Sequence, residues 1–226
     1  MKKVLMILTS HDELGDTGKK TGTWLEEIAS PYYILKDAGI SVSFATPKGG
    51  EAPIDPVSEL PDFQTDATHR YKDDPELKGL IASTLKLSQV TESEFDAVFC
   101  PGGQGPLYDL VTNEDSIRLI ESFWAKDKVV AALCHGLGSI LNVKDSHGEF
   151  IVKGRQVTGF SNAEETEYGT NELVPYLVED EMKARDGKYS KSDNWTQHVV
   201  TDGLLITGQN PASSEAVAKL LFEKIS

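Results

Sequence analysis

Short, nearly continuous apolar runs recur along the chain, and most of them are separated by segments with helical spacing. The runs cover residues 4–8, 42–45, 97–100, 129–133, 156–158 and 204–207. Runs of this length without regular alternation of apolar and polar residues are typical of strands that are buried on both faces. We therefore predict six strands of a parallel sheet.

The segments between these runs carry the apolar spacing of helices. Trp24, Ile28 and Leu35 indicate one helix, which would end at Gly39, since glycine readily adopts the left-handed backbone that follows a helix. Further helices are indicated at residues 117–124, 139–141 and 212–225. Because strands and helices alternate, the pattern predicts an α/β fold with a doubly wound parallel sheet and helices on both faces.

Residues 51–89 differ from the rest of the chain because they are polar and contain several prolines. We interpret them as an insertion with one helix rather than as a second core, so residues 1–226 are predicted to form a single domain. The apolar run near the N-terminus is too short for a signal peptide, and no small-residue cleavage site follows it. It is therefore interpreted as the first buried strand.

The charge balance limits the possible partners. The 226 residues include 36 acidic and 22 basic side chains, which gives a formal net charge of −14. Such a surface repels phosphate backbones, so no nucleic-acid partner is expected. No apolar run reaches the length of about 18 residues that a membrane span needs. The two cysteines are too few for a disulfide framework, and with no export signal they predict free thiols in a cytoplasmic protein.

Three unusual segments follow predicted strands: PGG at 101–103, CHG at 134–136 and GFS at 159–161. Ligands of open parallel sheets bind beyond the carboxyl ends of the strands. The three segments are therefore expected to converge on one site.

Cys134 is the most reactive candidate in these segments. Ala132 and Gly136 flank it, and small neighbours allow a sharp turn between a strand and a helix. A thiol at a helix N-terminus is expected to have a lowered pKa and to form the nucleophilic thiolate near neutral pH. Cys100 also ends a predicted strand, but Pro101 follows it and no partner is evident. We interpret Cys100 as a packing residue.

His135 is the natural proton carrier for such a thiol, because histidine titrates near neutral pH. It would need a carboxylate to orient it. Glu164, Glu165 and Glu167 are the nearby candidates, and the residues alone do not separate them. The paired acids have no histidine or cysteine at ligand spacing, so no metal site is predicted.

These motifs resemble the ThiJ/PfpI superfamily, also called class I glutamine amidotransferase-like. The matching segments, in the order of the family, are VLMILTS, TGTWLEEIASPYYIL, FCPGGQGPLYDL, VVAALCHGLGSIL, VTGFSNAEE and LLITGQNPAS. The G-x-W-x-x-E-x-x-x-P spacing and the TGQNPAS segment resemble the branch of stress chaperones with glyoxalase III activity. The resemblance implies a flavodoxin-like fold.

The resemblance also implies a Cys-His-Glu triad. Cys134 would be the nucleophile and His135 its partner. Matching GFSNAEE to the family segment makes Glu165 the triad acid, with Glu164 as the alternative.

A further acid and an oxyanion site come from the same resemblance. Counting back from Pro31, Glu27 would contact the cysteine, with Glu26 as the alternative. Glu27 should keep its proton, because like charges in a dry pocket repel. Gly102, Gly103 and the backbone of His135 would bind the substrate oxygen.

The implied function is that of a cofactor-independent glyoxalase III, or D-lactate dehydratase-type lyase, which converts methylglyoxal to D-lactate without metal or glutathione. Its partner would be a small carbonyl substrate, and the protein would form a homodimer. A PfpI-type cysteine peptidase and a deglycase are the hydrolase alternatives. A holding chaperone with unfolded clients, or an oxidative-stress sensor, is the non-enzymatic alternative. A glutamine amidotransferase is disfavoured, because Val200 stands where its H-x-E pattern after His198 needs a glutamate.

Overall fold

The computed structural model describes residues 2–226, which contain nine strands and eight α-helices. The strands are β1 (Lys3–Ile7), β2 (Ser41–Thr46), β3 (Leu85–Lys86), β4 (Ala97–Cys100), β5 (Val129–Leu133), β6 (Gln156–Val157), β7 (Lys188–Tyr189), β8 (Val199–Asp202) and β9 (Leu205–Gly208). The α-helices are α1 (Leu25–Asp37), α2 (Asp66–Lys72), α3 (Pro75–Ala82), α4 (Pro106–Asp109), α5 (Glu114–Ala125), α6 (Asn162–Tyr168), α7 (Val178–Ala184) and α8 (Ser214–Ile225). Short 3-10 helices cover Pro56–Glu59, Pro61–Phe63, Leu87–Gln89, Glu92–Glu94, Cys134–Ile140 and Pro211–Ser213.

Seven strands form the central sheet in the order β3-β2-β1-β4-β5-β9-β8. All neighbouring pairs are parallel except β8 and β9, which are antiparallel. A separate two-stranded parallel sheet joins β6 and β7. The predicted α/β class, with a flavodoxin-like sheet between helices, is confirmed.

Both faces of the sheet are covered by apolar side chains. In β1, Val4 and Met6 belong to the core that contains Ile28 of α1, while Leu5 belongs to the core that contains Phe123 of α5. Successive strand residues point to opposite faces, so a strand covered on both sides needs apolar residues at every position. This accounts for the continuous apolar runs. Within residues 2–226, no helix has the length and apolar character that a membrane crossing requires.

Five of the six predicted strands match β1, β2, β4, β5 and β9 to within one or two residues at each end. The strand predicted at 156–158 is wrong as part of the central sheet, because β6 pairs with β7 instead. The Gln156 N–H donates to the Asp202 side chain at 2.9 Å, so β6 is joined to β8 by a side chain rather than by a ladder. The sheet edges β3 and β8 were not predicted, because they are short and partly exposed.

The predicted helices differ from the structure in three places. An α-helix was expected to follow Cys134, but a 3-10 helix begins at that residue. The last α-helix starts at Ser214, after a short 3-10 turn. The segment 51–89 contains two α-helices rather than one, and its end adds β3 to the edge of the central sheet.

Candidate active site

The turn after β5 holds Cys134 in a backbone conformation that few residues adopt. Its φ is +58°, in the left-handed region that strains any residue with a Cβ atom. Gly136 lies directly against the Cys100 carbonyl oxygen and Pro101, where a Cβ atom would collide with the backbone. The turn after β5 therefore packs directly against the turn after β4.

His135 lies between Cys134 and Glu165. Its Nδ1 is 3.5 Å from the Cys134 Sγ, and its Nε2 is 2.7 Å from Glu165 Oε2. Burial raises the pKa of Glu165, but His135 and Thr170 oppose this by charge and hydrogen bonding and bring the pKa below its ordinary value. An ionised Glu165 accepts the Nε2–H, so Nδ1 is left with a lone pair toward the thiol.

Glu164 does not contact His135, although it neighbours Glu165 in sequence. It is fully buried and accepts five hydrogen bonds from side chains and backbone groups of α6 and two other segments. The donors are the Ser161 N–H and Oγ, the Trp195 N–H, Gln209 Nε2 and Asn210 Nδ2. The geometry therefore brings Glu165, and not Glu164 or the exposed Glu167, to the candidate triad.

Glu27 lies beside the cysteine at the buried end of the site. Its Oε2 accepts the Gly102 N–H at 2.6 Å, and its Oε1 has no partner with hydrogen-bond geometry among residues 2–226. Burial raises the pKa of Glu27 to about 8, with a small further rise from Glu26, against the opposing effects of Gly102 and Cys134. Glu26 points elsewhere and accepts a hydrogen bond from Thr65.

The thiol itself is less acidic than the sequence indicated. Burial raises the pKa of Cys134 well above its ordinary value, and the carboxyl of Glu27 raises it further, while the His135 N–H lowers it. The expected lowering depended on the N-terminus of an α-helix, which the structure does not have at this point. Ionisation of either group of the Cys134–Glu27 pair opposes ionisation of the other. A resting thiol and a proton acceptor on His135 describe this site better than a free thiolate.

The two glycines after β4 have different roles. The Gly102 N–H donates to Glu27 and positions that carboxyl. It is therefore not free to donate to a substrate oxygen, contrary to the prediction. A Cβ atom on Gly102 would lie 2.7 Å from the His135 nitrogen and 2.9 Å from the Cys134 Cβ. Gly103 has a φ of +94° and lines the cavity next to Cys134 and His135, where its N–H can serve an oxyanion.

A cavity of about 430 Å³ opens onto Cys134 and His135. Aromatic rings form a continuous wall along it. Their centroids are separated by 5.0 Å for Phe63–Trp24, 6.4 Å for Trp24–Tyr168, 6.3 Å for Tyr168–Trp195, 5.6 Å for Trp195–Phe160 and 4.3 Å for Phe160–His135. Three of these rings, Phe63, Tyr168 and Trp195, were not predicted to line the site, because they lie outside the motifs that contain the candidate catalytic residues.

The side chains that line the cavity, among residues 2–226, include acidic groups but no lysine or arginine. Glu26, Asp55, Asp62 and Glu215 contribute to its lining. Asp55 accepts hydrogen bonds from Thr21 and from the Val57 N–H, both at 2.8 Å. Among residues 2–226, no group of three or more histidine, cysteine, aspartate or glutamate side chains is placed to hold a metal ion.

Fold and site together define a flavodoxin-like α/β protein with a cysteine, a histidine and a glutamate assembled at the carboxyl ends of its central strands. The chain belongs to the DJ-1/PfpI family, whose sequence profile matches residues 20–224. The resemblance that the motifs carried is thereby confirmed.

Three similar proteins indicate where in the DJ-1/PfpI family this chain lies. A glutathione-independent glyoxalase of Saccharomyces cerevisiae is 30% identical over 226 residues, covering 96% of this chain and 95% of the relative. The structure of glyoxalase III from Candida albicans has a TM-score of 0.90 at 27% identity and covers 100% of this chain and 98% of that chain. The structure of a 24 kDa rapid encystment protein from Francisella tularensis has a TM-score of 0.94 at 36% identity and covers 100% of both chains.

Proposed function

We propose that this protein is a glutathione-independent glyoxalase that converts methylglyoxal and related α-oxoaldehydes to D-lactate and other 2-hydroxy acids. The names of the two glyoxalase relatives support this proposal. The observation that carries it is the position of His135, with Nδ1 toward the Cys134 sulfur and Nε2 on Glu165, beside the buried acid Glu27.

The first step is attack of the cysteine on the aldehyde. Nδ1 of His135 takes the thiol proton, and the Cys134 sulfur forms a bond to C1. The C1 oxygen gains the electron pair of its double bond and is stabilised by the N–H groups of Gly103 and His135. The C1 oxygen then takes this proton from His135, and the product is a hemithioacetal.

The second step moves a proton from C1 to C2. The base is His135, or Glu27 in its ionised form, since both flank the sulfur. It removes the C1 proton, and the electrons pass to the C2 carbonyl oxygen. The base then gives this proton to C2, the C1 hydroxyl proton passes to the C2 oxygen, and the product is the thioester of lactate. Water then attacks the thioester, and the sulfur leaves and regains its proton. One methylglyoxal and one water give one lactate, with no change in total oxidation state.

The test is direct. Purified protein is incubated with methylglyoxal in the absence of glutathione, and D-lactate is measured with a D-lactate-specific dehydrogenase. We expect wild type and Cys100→Ala to form lactate at rates within about twofold of each other, and Cys134→Ala to lose at least about 1000-fold. Equal rates for wild type and Cys134→Ala would rule the proposal out.

The alternatives have distinct results in the same preparation. Release of peptides from an unfolded protein, dependent on Cys134, would indicate the PfpI-type peptidase. Suppression of client aggregation by Cys134→Ala, with no turnover by wild type, would indicate the holding chaperone. Loss of aldehyde adducts from amino groups, faster than free methylglyoxal is consumed, would indicate the deglycase.

We also propose a homodimer, which derives from the resemblance to the chaperone and glyoxalase branch, and a cytoplasmic location, which rests on the small number of cysteines. The unfolded clients belong to the chaperone alternative. Light scattering of the purified protein tests the homodimer. A mass of about twice 24.7 kDa is expected for the dimer.

A further inference from the structure

The loop between β7 and β8, residues 190–198, forms part of the cavity wall through one side chain. Trp195 lines the cavity, and its ring is 5.6 Å from Phe160 and 6.3 Å from Tyr168. Its φ is +61°, so a bulky residue is held in the left-handed region. Such a conformation persists only where the surroundings fix it, and it is found at functional sites.

Glu164 fixes this conformation. Its Oε1 accepts the Trp195 N–H at 2.9 Å, which holds the backbone at the strained residue itself. The same carboxylate has no exposed surface and is reached from three segments of the chain, so it ties the loop to the start of α6. A buried carboxylate with several donors is a rigid anchor, since each bond is charge-assisted.

Gln209 and Asn210, from the TGQNPAS segment, extend this anchor to both sides of Trp195. Gln209 donates to Glu164 at 3.0 Å and accepts the Ser192 N–H at 2.9 Å. Asn210 donates to Glu164 at 2.7 Å and to the Thr196 carbonyl oxygen at 2.8 Å. The loop is therefore held before, at and after Trp195 by one network centred on Glu164.

We infer that Trp195 is a specificity-determining residue for the larger group of an α-oxoaldehyde, and that Glu164 is the residue that positions it. This inference rests on the proposed function and adds a substrate class to it, the α-oxoaldehydes with an aromatic substituent. A cavity of 430 Å³ is in the range that binds drug-sized molecules and far exceeds a five-atom aldehyde. A flat substituent on C2 would lie along the wall formed by Trp24, Tyr168 and Trp195.

Glu164 acts through Trp195 and not on the reacting atoms. Its neighbour Glu165 holds His135, whereas none of the five hydrogen bonds of Glu164 involves Cys134 or His135. The charge of Glu164 only adds to the raised pKa of Cys134. Loss of Glu164 should therefore change how a large substrate binds more than how the thiol reacts.

The test compares kcat/KM for phenylglyoxal and methylglyoxal in matched variants. Trp195→Ala should lower kcat/KM for phenylglyoxal about 10-fold more than for methylglyoxal, mainly through KM, because an aromatic contact is lost. Glu164→Gln should give the same pattern, since an amide cannot accept all five donors. Glu179→Gln is the control: it changes a buried carboxylate that caps the same helix at the Asn162 N–H, away from the loop. It should leave the ratio of the two substrates unchanged.

Alkylation of Cys134 by iodoacetamide separates positioning of Trp195 from damage to the triad. Trp195→Ala should alkylate at the wild-type rate, and Glu164→Gln at the wild-type rate or faster, because the charge of Glu164 raises the pKa of Cys134. If Glu164→Gln loses activity equally for both substrates and alkylates more slowly, Glu164 belongs to the triad and the inference is overturned. An unchanged ratio of the two substrates in Trp195→Ala would also overturn it. If Glu164→Gln does not fold, Glu164→Asp, which keeps the charge but withdraws it from Trp195, replaces it with the same expected pattern. If wild type forms no 2-hydroxy acid from either aldehyde, the proposed function itself fails and the inference with it.

Discussion

Cys100 and Cys134 end neighbouring parallel strands, yet only one of them has the surroundings of a nucleophile. Cys100 pairs with Ala132, which comes two residues before Cys134. The two cysteines therefore lie near the same end of neighbouring strands. Their exposure hardly differs, at 0% and 3%. Accessible surface is therefore not what separates them.

The backbone and the neighbours separate them. Cys100 is the last residue of β4 and belongs to the apolar core, where burial raises its pKa to about 12 against a weak opposing effect of Ser139. Cys134 turns out of β5 with a φ of +58° and meets an imidazole and a carboxyl. A single left-handed residue thus converts a strand end into a site.

The largest expected effect is in thiol chemistry. At pH 8 a group with a pKa of about 12 is ionised to roughly one part in 10⁴. The pKa of Cys134 is raised as well, but Cys134 lines the cavity and has His135 beside it to take the thiol proton during the reaction, whereas Cys100 lies in the apolar core. Iodoacetamide should therefore modify Cys134 at least about 10³-fold faster than Cys100. Peptide mapping by mass spectrometry measures both sites in one sample, and unfolding in urea should remove the difference. Comparable modification of the two cysteines in the folded protein would contradict the comparison.

Glu165→Gln should deprive Cys134 of its proton acceptor and so make its thiol less reactive, as that of Cys100 is. An amide at this position can donate to Nε2 of His135, which favours the tautomer with its proton on Nδ1. In that tautomer Nδ1 cannot accept the thiol proton. Loss of the correct tautomer in another triad costs about 10⁴-fold, and we expect a fall of about 10²–10³ in kcat here. Lactate formation measures the fall. Glu172→Gln, an exposed change seven residues further on, is the control and should stay within twofold.

Glu27→Gln tests the acid that only Cys134 has beside it. The pKa of Glu27 is raised from 4.5 to about 8, so the folded protein binds this proton more tightly than the unfolded chain. Wild-type stability should therefore fall as pH rises from about 4.5 to 8 and level off above 8, while the glutamine variant lacks this dependence. The free energy of unfolding of the variant, relative to wild type, should therefore rise by up to a few kcal/mol between pH 4.5 and pH 8, at about 1.4 kcal/mol per pKa unit.

Urea unfolding at pH 5, 6, 7 and 8 measures this difference, and lactate assays on the same samples measure the loss of the acid. A stability difference that is the same at every pH would mean that Glu27 ionises as freely in the folded protein as in the unfolded chain.

The smallest effect is expected for Cys100→Ala. Removing a buried sulfur from a packed core should cost about 1 kcal/mol of the free energy of unfolding. Activity should remain within twofold, because Cys100 has no part in the proposed chemistry. Chemical denaturation and the lactate assay test the two statements separately. A large loss of activity without a loss of stability would give Cys100 a role that its surroundings do not explain.

The sequence predicted the central strands well because each is apolar on both faces, as β1 illustrates with Val4, Leu5 and Met6 in alternate cores. It failed at β3 and β8, which have two and four residues and at least one exposed position. Strand edges carry little of the apolar pattern that identifies a core strand.

The site was predicted in part. Cys134 and His135 are adjacent in one motif, so their proximity follows from the sequence, whereas Glu27 was expected beside them only from the resemblance to the family. Glu164 and Glu165 are adjacent and both buried, and only the rotation of α6 decides which of them faces His135. Trp195 comes from a loop of no regular pattern, and its place in the cavity depends on the hydrogen bonds of Glu164.

The left-handed backbone at position 134 sets stability and chemistry against each other. Any residue with a Cβ atom costs about 1–2 kcal/mol in that conformation, whereas glycine costs little. Cys134→Gly would relieve this strain and abolish the nucleophile, while the loss of a buried sulfur would offset part of the gain by about 1 kcal/mol. Directed evolution of this enzyme should hold position 134 constant.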